Sequence, residues 1–599
     1  MHRTTLLFIT AIALAATPAA AQETPYFQQD VAYRIEARLD DAAEVLSGRA
    51  RMRYVNRSPE TLDSLYFHLY LNAFRPNSAW ARRELEYGER RFQDLGPDDH
   101  AFERITAIRV GDTPVRPEYR GAPDSTVVAI ALPQPLPPGA RTTVMIDWQT
   151  RLATEPRRQG RRGRHHDFAQ WYPRIAVYDH TGWATRPLLP QGEFYGEYGT
   201  FDVTLDVAAD QVIGATGVPV EGDPGWAAAR AGGPEPWLKR DAYDAPAPQP
   251  LGLLDDAPAE GRKRVRWYAE DVHHFAWTAN PDYIYEGGRI GDVAVHVLYQ
   301  PGDTAWDDGV AVEHTKNAIA FFSDLFGPYP WPQITNVHRI EPGGTEFPMM
   351  IMDGSASEGL IVHEIAHQWV HGIFGNNEWR EGWLDEGFGS FLTNWYFEAK
   401  GAPPSMWDSS LEGIRRMERA GQSQPIALES AEFRDPRTYS AMTYTKPSLV
   451  FRMLRDYLGE DTFRRALKVF YERKALQHVT EQDLRAAFET AAGEDLDWFF
   501  DQWIHTTATL DYRIESARAR QEGSEWVATI EVAREGDAWM PVTLQVDGSA
   551  RRLDSREPRQ VVTLRLTERP TQAVLDPDNI LLDIQIDNNR AAFEVTGSR

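Results

Sequence analysis

Alternation of apolar and polar positions dominates the first part of the chain. It is clearest in residues 33–39 and 49–54, where every second residue is apolar and the residues between are mostly charged. Residues 201–207 repeat the pattern. Because side chains of a β-strand point alternately to opposite faces, this period indicates strands with one buried face. We therefore predict an all-β domain over residues 22–285.

One stretch within this domain lacks any period. Residues 221–264 are rich in alanine, proline and glycine. Because proline and glycine interrupt helices and strands, we expect a long surface loop inserted in the β-domain.

The pattern changes to mixed strand and helix from about residue 286. Residues 293–299 are typical of a buried strand, and residues 310–325 have helical spacing that ends before a Gly-Pro pair. Helical patterns dominate afterwards, including a capping-box sequence that begins at Thr480. We therefore expect residues 286–508 to begin as α/β and to become mainly helical. Alternation returns in residues 509–599, which predicts a small β-domain.

The composition is that of a globular protein with several domains. The chain has 599 residues, of which 42% are hydrophobic and 25% charged. Its 63 Lys and Arg against 88 Asp and Glu give a formal net charge of −25, which argues against a general nucleic-acid binder because such proteins are basic. The chain contains no cysteine, which excludes disulfides, thiolate metal ligands and cysteine nucleophiles. Its chemistry must therefore use imidazole, carboxylate and hydroxyl groups.

The N-terminal residues have the pattern of a secretory signal. Arg3 precedes an apolar run at residues 6–16, and an Ala-x-Ala cleavage site ends at Ala21. The apolar run is too short to span a bilayer. We expect residues 1–21 to be a cleaved signal peptide and the mature protein to begin at Gln22. Its location would then be periplasmic or secreted, with no stable membrane anchor.

One short motif carries metal chemistry. His363, Glu364 and His367 form an HExxH sequence within the apolar run 359–374. Residues i and i+4 of a helix lie on one face, so both imidazoles can bind one metal ion while Glu364 points to a water molecule beside it. A catalytic Zn²⁺ site has three protein ligands and one open position, so a third ligand is required.

Glu386, nineteen residues after His367, is the candidate third ligand. It stands at the start of the next apolar helical run, and a His₂Glu site is a known catalytic arrangement. Its neighbour Asp385 is the alternative third ligand. His371 continues the helical stripe but lies about 12 Å along the axis from His363, so these two cannot hold one ion. We expect His371 to be structural or to support the ligands.

Four motifs in order resemble the M1 family of zinc aminopeptidases, the gluzincin group that contains aminopeptidase N and leukotriene A4 hydrolase. The motifs are GGTE at residues 343–346, HEIAHQW at 363–369, WLDEGF at 383–388 and YTKP at 444–447. The resemblance covers nearly the whole mature chain. It implies a multidomain fold with an all-β N-terminal domain, a thermolysin-like catalytic domain and a small C-terminal β-sandwich.

The resemblance also implies roles for individual residues. One Zn²⁺ would be held by His363, His367 and Glu386. Glu364 would act as the general base, and Tyr444 would donate a hydrogen bond to the tetrahedral oxyanion.

A further segment implied by the resemblance binds the substrate. Glu346, together with Gly343 and Gly344, would hold the free ammonium group that an aminopeptidase must recognise and an endopeptidase need not. Gln170 is the candidate residue of the N-terminal domain that assists it.

The chain departs from the family pattern at three positions. Thr345 replaces the usual Met and Phe347 the usual Asn, so a substrate contact made by that Asn is missing or comes from elsewhere. Pro447 replaces Gly after the catalytic tyrosine, and proline suits the first turn of a helix.

A basic cluster interrupts the acidic chain. Its members are Arg157, Arg158, Arg161, Arg162, Arg164, His165 and His166. Such a run is typical of a mobile loop, and the alternative is a surface for an anionic partner or an acidic substrate tail.

The sequence therefore predicts an exported zinc aminopeptidase that removes N-terminal residues from peptides. Its partners would be peptides with a free N-terminus, and its cofactor one Zn²⁺ per chain. A gluzincin endopeptidase is the alternative enzyme, and an epoxide hydrolase activity is a weaker alternative. A non-catalytic binding protein of the same shape is the alternative that is not an enzyme.

Overall fold

The computed structural model describes residues 26–120, 124–192 and 194–595. The predicted signal peptide and its cleavage site lie outside the described residues. No helix within the described ranges is long and apolar enough to cross a membrane. Along the chain, a β-rich N-terminal region is followed by a mainly helical central region and then by a final set of strands.

The N-terminal region is built almost entirely from strands. They are β1 (Asp30–Asp40), β2 (Val45–Val55), β3 (Leu62–His68), β4 (Phe102–Val110), β5 (Thr113–Pro114), β6 (Glu118–Arg120), β7 (Val127–Leu136), β8 (Arg141–Arg151), β9 (Gly160–Arg162), β10 (His165–Phe168), β11 (Arg174–Ile175), β12 (Tyr178–Asp179), β13 (Gly182–Trp183), β14 (Gly199–Ala208), β15 (Val212–Ala215), β16 (Val218–Glu221), β17 (Arg262–Val272) and β18 (Trp277–Asn280). One helix, α1 (Ala79–Glu86), and a 3₁₀ turn at Tyr70–Ala73 lie between β3 and β4.

The largest sheet of this region has the strand order β16-β17-β14-β1-β2-β8-β4-β5. β1 is antiparallel to β2 and parallel to β14, so Ile35 lies opposite both Ala50 and Val203. All three side chains are buried. The strands predicted from alternation are thus confirmed, and their apolar positions form the buried side of the sheet.

Residues 222–261 connect β16 to β17 without a helix or strand. The backbone N–H groups of Leu251 and Leu253 donate to the carboxylate of Glu36 on β1. These bonds attach the irregular stretch to the large sheet.

A four-stranded sheet opens the central region. Its strands, in spatial order, are β19 (Ile284–Ile290), β20 (Val293–Tyr299), β21 (Gln333–His338) and β22 (Met350–Asp353). The last three are parallel to one another, whereas β19 is antiparallel to β20. β19 crosses the predicted boundary between residues 285 and 286. Two further short strands, β23 (Phe374–Asn376) and β24 (Gln477–Val479), pair in parallel.

Helices make up most of the central region. They are α2 (Val310–Leu325), α3 (Glu358–His367), α4 (Glu378–Glu381), α5 (Glu386–Ala399), α6 (Asp408–Arg419), α7 (Pro436–Ser440), α8 (Lys446–Leu458), α9 (Glu460–Lys474), α10 (Glu481–Ala492) and α11 (Asp497–Trp503). Short 3₁₀ turns occupy Gly382–Leu384, Pro404–Trp407 and Ser430–Glu432. The helix predicted at residues 310–325 and the capping box at Thr480 are confirmed.

Two π-helical turns flank the helices that carry the motifs. One, Gln368–Ile373, continues α3, and the other, Ala441–Thr445, leads into α8. π-Helical turns are rare and often lie at functional sites. α5 packs between α3 and α8, where the ring of Phe388 stacks on Phe451 with centroids 4.3 Å apart. This apolar packing gives the motif residues a rigid support.

The final region consists of two four-stranded sheets. Its strands are β25 (Tyr512–Glu522), β26 (Glu525–Arg534), β27 (Val542–Val546), β28 (Ser549–Leu553), β29 (Arg559–Leu566), β30 (Gln572–Leu575), β31 (Arg590–Ala592) and β32 (Glu594–Val595), with a 3₁₀ turn at Ile586–Asn589. The sheet orders are β29-β26-β25-β32 and β28-β27-β30-β31. Arg415, buried on α6, donates to the carbonyl of Leu581 and so joins this region to the central helices.

Candidate metal centre

The two histidines of the HExxH sequence face each other on one side of α3. His363 and His367 are one helical turn apart, and their Nε2 atoms lie 3.1 Å from each other. Two neutral imidazole nitrogens this close share at most one proton. The pair therefore presents electron pairs to one point in space, as the spacing in the sequence predicts.

Glu386 reaches the same point from the first residue of α5. Its Oε2 atom lies 3.2 Å from Nε2 of His363 and 3.3 Å from Nε2 of His367. A tetrahedral Zn²⁺ with bonds of about 2.0–2.1 Å separates its ligand atoms by about 3.3–3.4 Å. The three ligand atoms form a triangle of almost that size, so these residues fit a zinc ion without rearrangement.

Asp385 orients one ligand from behind. It lies within hydrogen-bonding distance of Nδ1 of His367, through its Oδ1 atom, on the side of the ring away from the triangle. This bond keeps the proton on Nδ1 and leaves Nε2 as the ligand atom. Burial opposes a charge on His367, but the two carboxylates outweigh it and hold the pKa of His367 well above its usual range. Glu386, and not its neighbour Asp385, is therefore the carboxylate that converges with the imidazoles.

The charge of Glu386 is held by its neighbours. Burial works against ionisation, but hydrogen bonds from His363 and His367 outweigh it and set the pKa of Glu386 well below its usual range. Tyr444, on the second π-helical turn, donates from its hydroxyl to Oε1 of Glu386 at 2.5 Å. Burial, together with the charge of Glu386, raises the pKa of Tyr444 well above its usual range, so the phenol remains a proton donor.

Glu364 lies between α3 and the GGTE segment. A Cβ atom placed on Gly344 would stand 1.9 Å from its Oε1, so only glycine allows the backbone this close to the carboxylate. Its Oε2 has no hydrogen-bond partner among the described residues. Burial raises the pKa of Glu364 to about 8, although His363 opposes the shift and Glu346 adds to it. The group can thus exchange a proton near neutral pH.

The GGTE segment runs beside β22 and pairs with it through backbone hydrogen bonds. Thr345 exchanges backbone hydrogen bonds with Met352, and Gly343, which has a φ of 79°, accepts one from Gly354. Glu346 at its end is buried, and its Oε1 has no hydrogen-bond partner among the described residues. The segment therefore brings a second unpaired carboxylate to the edge of the metal site.

The three departures from the family pattern have structural causes. The hydroxyl of Thr345 pairs with the buried Arg339, and the ring of Phe347 stacks on Phe194 with centroids 5.5 Å apart. The hydroxyl of Thr345 is thus already paired and Phe347 has no polar group, so neither side chain can make the substrate contact of the usual Asn. Pro447 fills the space left by Gly387, where a Cβ atom would lie 2.5 Å from the proline ring.

Gln170 is not joined to the other candidate residues. It is buried after β10 with a φ of 54°, and its side-chain nitrogen has no hydrogen-bond partner in the part of the chain that the structure describes. No hydrogen bond between Gln170 and Glu346 is present there. Its predicted role in holding the amine stays a prediction.

The interpretation of the basic cluster as a mobile loop is wrong. Its residues form β9 and β10, and most of its side chains are buried or paired. Arg157 pairs with Glu341 at 3.2 Å, and Arg164 bridges two aspartates at the surface. Charged side chains that satisfy one another can enter a folded layer, which charge density along the sequence does not reveal.

Two supporting residues escaped the sequence analysis. Glu378, buried at the start of α4, accepts from the backbone N–H of Phe194 and lies 2.5 Å from Nδ1 of His371. Burial raises the pKa of Glu378 well above its usual range. Asp385 had been considered only as a ligand. Neither belongs to a pattern that would separate it from a surface acid, because both roles depend on contacts between distant segments.

Comparison with known proteins bears on the central region. Residues 349–503 match the family model described as the peptidase family M1 domain. Aminopeptidase M1 of Arabidopsis thaliana is 28% identical over 194 residues, which is 31% of this chain and 22% of that protein. Puromycin-sensitive aminopeptidase of Caenorhabditis elegans is 26% identical over 205 residues, which is 32% of this chain and 21% of that protein.

A third relative gives a longer match. Aminopeptidase M1-B of Oryza sativa subsp. japonica is 26% identical over 286 residues, which is 42% of this chain and 32% of that protein. The chain thus spans about a fifth to a third of the length of these curated relatives. The family match contains the converging ligands, Glu364 and Tyr444, whereas the GGTE segment lies just before it.

Proposed function

Since this chain carries a peptidase family M1 domain at residues 349–503, we propose that it is a zinc-dependent aminopeptidase that hydrolyses the first peptide bond of its substrates. One observation carries the proposal. The ligand atoms of His363, His367 and Glu386 form a triangle of zinc dimensions, and the unpaired carboxylates of Glu364 and Glu346 lie beside it.

The three converging residues would hold the metal. Two imidazole nitrogens and one carboxylate oxygen are a donor set that zinc enzymes use, and they leave a fourth position for substrate or water. When bound there, Zn²⁺ supplies a Lewis acid that makes water more acidic and polarises a carbonyl group. Asp385 keeps His367 in the required tautomer.

Glu364 would move the proton. Its unpaired Oε2 accepts a proton from the attacking water, and the same carboxyl group then delivers that proton to the amine that leaves. A carboxyl group with a pKa near neutrality is suited to both steps, because neither protonation state is strongly preferred. The close backbone of Gly344 restricts the orientation of the carboxylate.

Tyr444 would stabilise the transition state. Its phenol now donates to Glu386, at the edge of the triangle, and remains protonated over the working pH range. A small rotation directs the same proton to the oxyanion that develops on the scissile carbonyl. Such a donor stabilises the transition state more than the substrate, which is the requirement for faster turnover.

Glu346 would select substrates with a free N-terminus. It is one of several buried carboxylates near the site, with Glu364 and Glu378, so the place between them favours a positive charge. A substrate ammonium group supplies that charge and donates charge-assisted hydrogen bonds. An acetylated N-terminus has no charge and would leave Glu346 buried without a partner.

Matched substrates test the exopeptidase assignment. A panel of aminoacyl anilides and their N-acetylated counterparts would be assayed with the zinc-loaded protein. We expect hydrolysis of the free amines and little of the acetylated forms. Preference for the blocked substrates would contradict the aminopeptidase assignment and favour a gluzincin endopeptidase.

A catalytic role is separated from mere binding by one substitution. Glu364→Gln retains the shape of the side chain but cannot carry the proton. If wild type and variant bind zinc equally and neither hydrolyses any substrate of the panel, a non-catalytic binding protein of the same shape is the better account.

We further propose that the three regions are the domains of an M1-type fold. The parallel strands and the helices around α3 support a thermolysin-like domain at residues 286–508, preceded by the β-domain at 22–285. The two C-terminal sheets support a β-sandwich at residues 509–599. Limited proteolysis would then give fragments that end in the connection before β19, at residues 281–283, or near residue 508, and first cuts within β20, β21 or β22 would contradict the division.

The proposed location of the protein is periplasmic or secreted. Support comes from the basic start, the apolar run and the Ala-x-Ala site within residues 1–21. N-terminal sequencing of the protein recovered from cell fractions tests the proposal. A mature chain that begins at Gln22 outside the cytoplasm is the expected result, and an intact chain confined to the cytoplasm would contradict it.

A further inference from the structure

A second group of histidines lies behind the metal centre. His273 and His274 directly follow β17, and His371 belongs to the π-helical turn that continues α3. All three rings are buried, and one nitrogen of each lies within 4.8 Å of a nitrogen of the other two. The group therefore joins the N-terminal strands to the helix that carries the HExxH residues.

The surrounding hydrogen bonds leave ligand nitrogens available. Nε2 of His273 lies 3.1 Å from the carbonyl oxygen of His371, which can only accept, so Nε2 carries the proton and Nδ1 is bare. Nδ1 of His371 lies 2.5 Å from Oε1 of Glu378, and neither ring nitrogen has a hydrogen-bond partner within the described residues. Imidazole ligands of metals usually donate their second N–H to a carbonyl or a carboxylate, as Nε2 of His273 does.

His274 completes the group. Its Nδ1 faces the bare Nδ1 of His273 at 2.6 Å, and its Nε2 has no hydrogen-bond partner among the described residues. Buried polar atoms in native proteins nearly always have a partner. The ligand atoms of a tetrahedral ion are about 3.3 Å apart, so the two rings would separate by about 0.7 Å to accept one.

The charges nearby favour a weakly held cation. Carboxylate oxygens of Glu346 and Glu378 also lie within 4.8 Å of a nitrogen of His371, and they offset a double positive charge. The positive charge of Arg174 opposes cation binding. A Cβ atom placed on Gly196 would stand 2.9 Å from Cε1 of His274 and 3.2 Å from Nη1 of Arg174, so the guanidinium group lies close to that ring. A cation bound here is therefore expected to be held less tightly than one in the triangle of His363, His367 and Glu386.

We propose that His273, His274 and His371 form a second zinc site that links the N-terminal strands to the π-helical turn after α3. The ligand set decides the class of ion, because neutral imidazoles prefer Zn²⁺ and similar transition metals to Mg²⁺ or Ca²⁺. The site goes beyond the proposed peptidase function, since its three histidines are neither ligands of the first metal triangle nor residues assigned to the substrate, although His371 lies beside Glu346 and Glu378. It would add to the contacts between these two regions, among them the hydrogen bonds that the hydroxyl of Tyr198 donates to the carbonyl oxygens of Gly372 and Ile373.

Zinc binding at equilibrium tests the proposal directly. The full-length mature protein would be dialysed against buffers of increasing free Zn²⁺, and bound zinc counted by elemental analysis. We expect two ions per chain at saturation, one held tightly and one more weakly. A single ion per chain at saturation would overturn the proposal.

Two variants assign the ions to their sites. His274→Gln should lose the weaker ion and keep the tight one, whereas His363→Gln should lose the tight ion and keep the weaker one. His296→Gln is the matched control, because His296 is a buried histidine that bonds Tyr285 away from both groups, and it should bind zinc as wild type does. Unchanged binding by His274→Gln would overturn the assignment.

A spectroscopic measurement covers the case in which a variant fails to fold. Wild-type protein loaded with Co²⁺ should show two sets of visible d–d bands that appear at different Co²⁺ concentrations. One set, complete at one equivalent, would overturn the proposal. These results do not depend on activity, so the second site could fail while the aminopeptidase assignment stands, or the reverse.

Discussion

The metal side and the substrate side of the candidate site differ in how their charges are balanced. On the metal side, His367 is paired with Asp385 and Glu386 with both imidazoles and Tyr444. On the substrate side, Glu364 and Glu346 are just as buried, yet each has an oxygen without a hydrogen-bond partner among the described residues. The ligands of the metal side are thus paired before anything binds, although Oδ2 of Asp385 behind them has no hydrogen-bond partner among the described residues, whereas both carboxylates of the substrate side are incomplete.

The difference indicates what each side requires. A metal site gains affinity when its ligands are already oriented, because no orientation must be imposed during binding. Buried carboxylates without partners are destabilising by themselves, and such groups concentrate where a substrate or a proton supplies the missing partner. The incomplete side is therefore where the proposed function places the peptide and its ammonium group.

Substitution of the proton carrier should have the largest effect. Glu364→Gln removes the group that accepts and returns the proton, so turnover should fall by about 10²–10⁴. Zinc content should stay at the wild-type level, because Glu364 is not a ligand. Steady-state assays with an aminoacyl anilide and elemental analysis measure the two quantities. Wild-type turnover in a zinc-loaded variant would contradict the role of the incomplete side.

Removal of the Tyr444 hydroxyl should have the second-largest effect. Tyr444→Phe leaves the ring but removes the oxyanion donor, so kcat should fall by about 10²–10³ with KM little changed. Tyr439→Phe is the matched control, since its ring lies 6.2 Å from that of Tyr444 and its hydroxyl bonds Gly192 instead of a ligand. Equal losses in the two variants would indicate a packing effect.

A third unpaired carboxylate predicts a stability cost that depends on pH. Burial raises the pKa of Asp353 to about 8, although Arg339 opposes the shift. The native state therefore holds a proton that the unfolded chain releases, and stability falls as the pH rises from about 4 to about 8. Asp353→Asn should remove about 5 kcal/mol of this fall, as measured by urea unfolding at both pH values.

The outcome for Asp353 bears on the comparison in a specific way. If wild type and Asp353→Asn lose the same free energy of unfolding over that pH range, the unpaired carboxylate of Asp353, whose charge acts on Glu364, is not destabilising. A missing hydrogen-bond partner would then be an insufficient criterion for a destabilising carboxylate at Glu364 and Glu346 as well.

Substitution of Glu346, the proposed amine-binding carboxylate, should lower the hydrolysis of free-amine substrates alone. Glu346→Gln keeps the shape and removes the charge, so kcat/KM for free-amine anilides should fall by about 10- to 100-fold. Any residual activity on N-acetylated anilides should not change, which makes the acetylated substrate an internal control. Equal effects on both substrates would assign Glu346 to structure.

The smallest effect is expected for substitution of Asp385, which lies behind the metal ligand His367. Asp385→Asn weakens the hold on His367, so zinc affinity should fall by about 10- to 100-fold in competition with a chelator. Glu381→Gln, which replaces an acid on α4 that binds the backbone of Glu481, is the matched control and should retain affinity. Unchanged zinc affinity in Asp385→Asn would show that the metal site does not depend on the hydrogen bond between Asp385 and His367.

Local patterns in the sequence predicted much of this protein. The strands around Ile35, the helix Val310–Leu325 and the capping box at Thr480 are confirmed because each follows from periodicity or from contacts within a few residues. The resemblance to the M1 family is likewise confirmed, by a family match over residues 349–503 that contains three of its four motifs.

Contacts between distant segments escaped prediction. The basic cluster belongs to β9, β10 and the residues beside them, where acids such as Glu341 and Asp210 from distant parts of the chain pair with Arg157 and Arg164. Glu378 and Asp385 acquired their roles in the same way, by meeting His371 and His367 in space. Nothing local distinguishes these residues from solvated charges.

By itself, the sequence determined the metal-binding spacing, the position of the glutamate proposed as general base and the order of strand-rich and helical regions, because helical periodicity and strand alternation act over a few residues. Tertiary structure alone decided that Glu386 and not Asp385 completes the triangle, that Glu364 and Glu346 stay unpaired, and that three histidines from two regions meet. Those outcomes depend on which chain segments pack together, and burial changes the charge and pairing of a side chain only after they do.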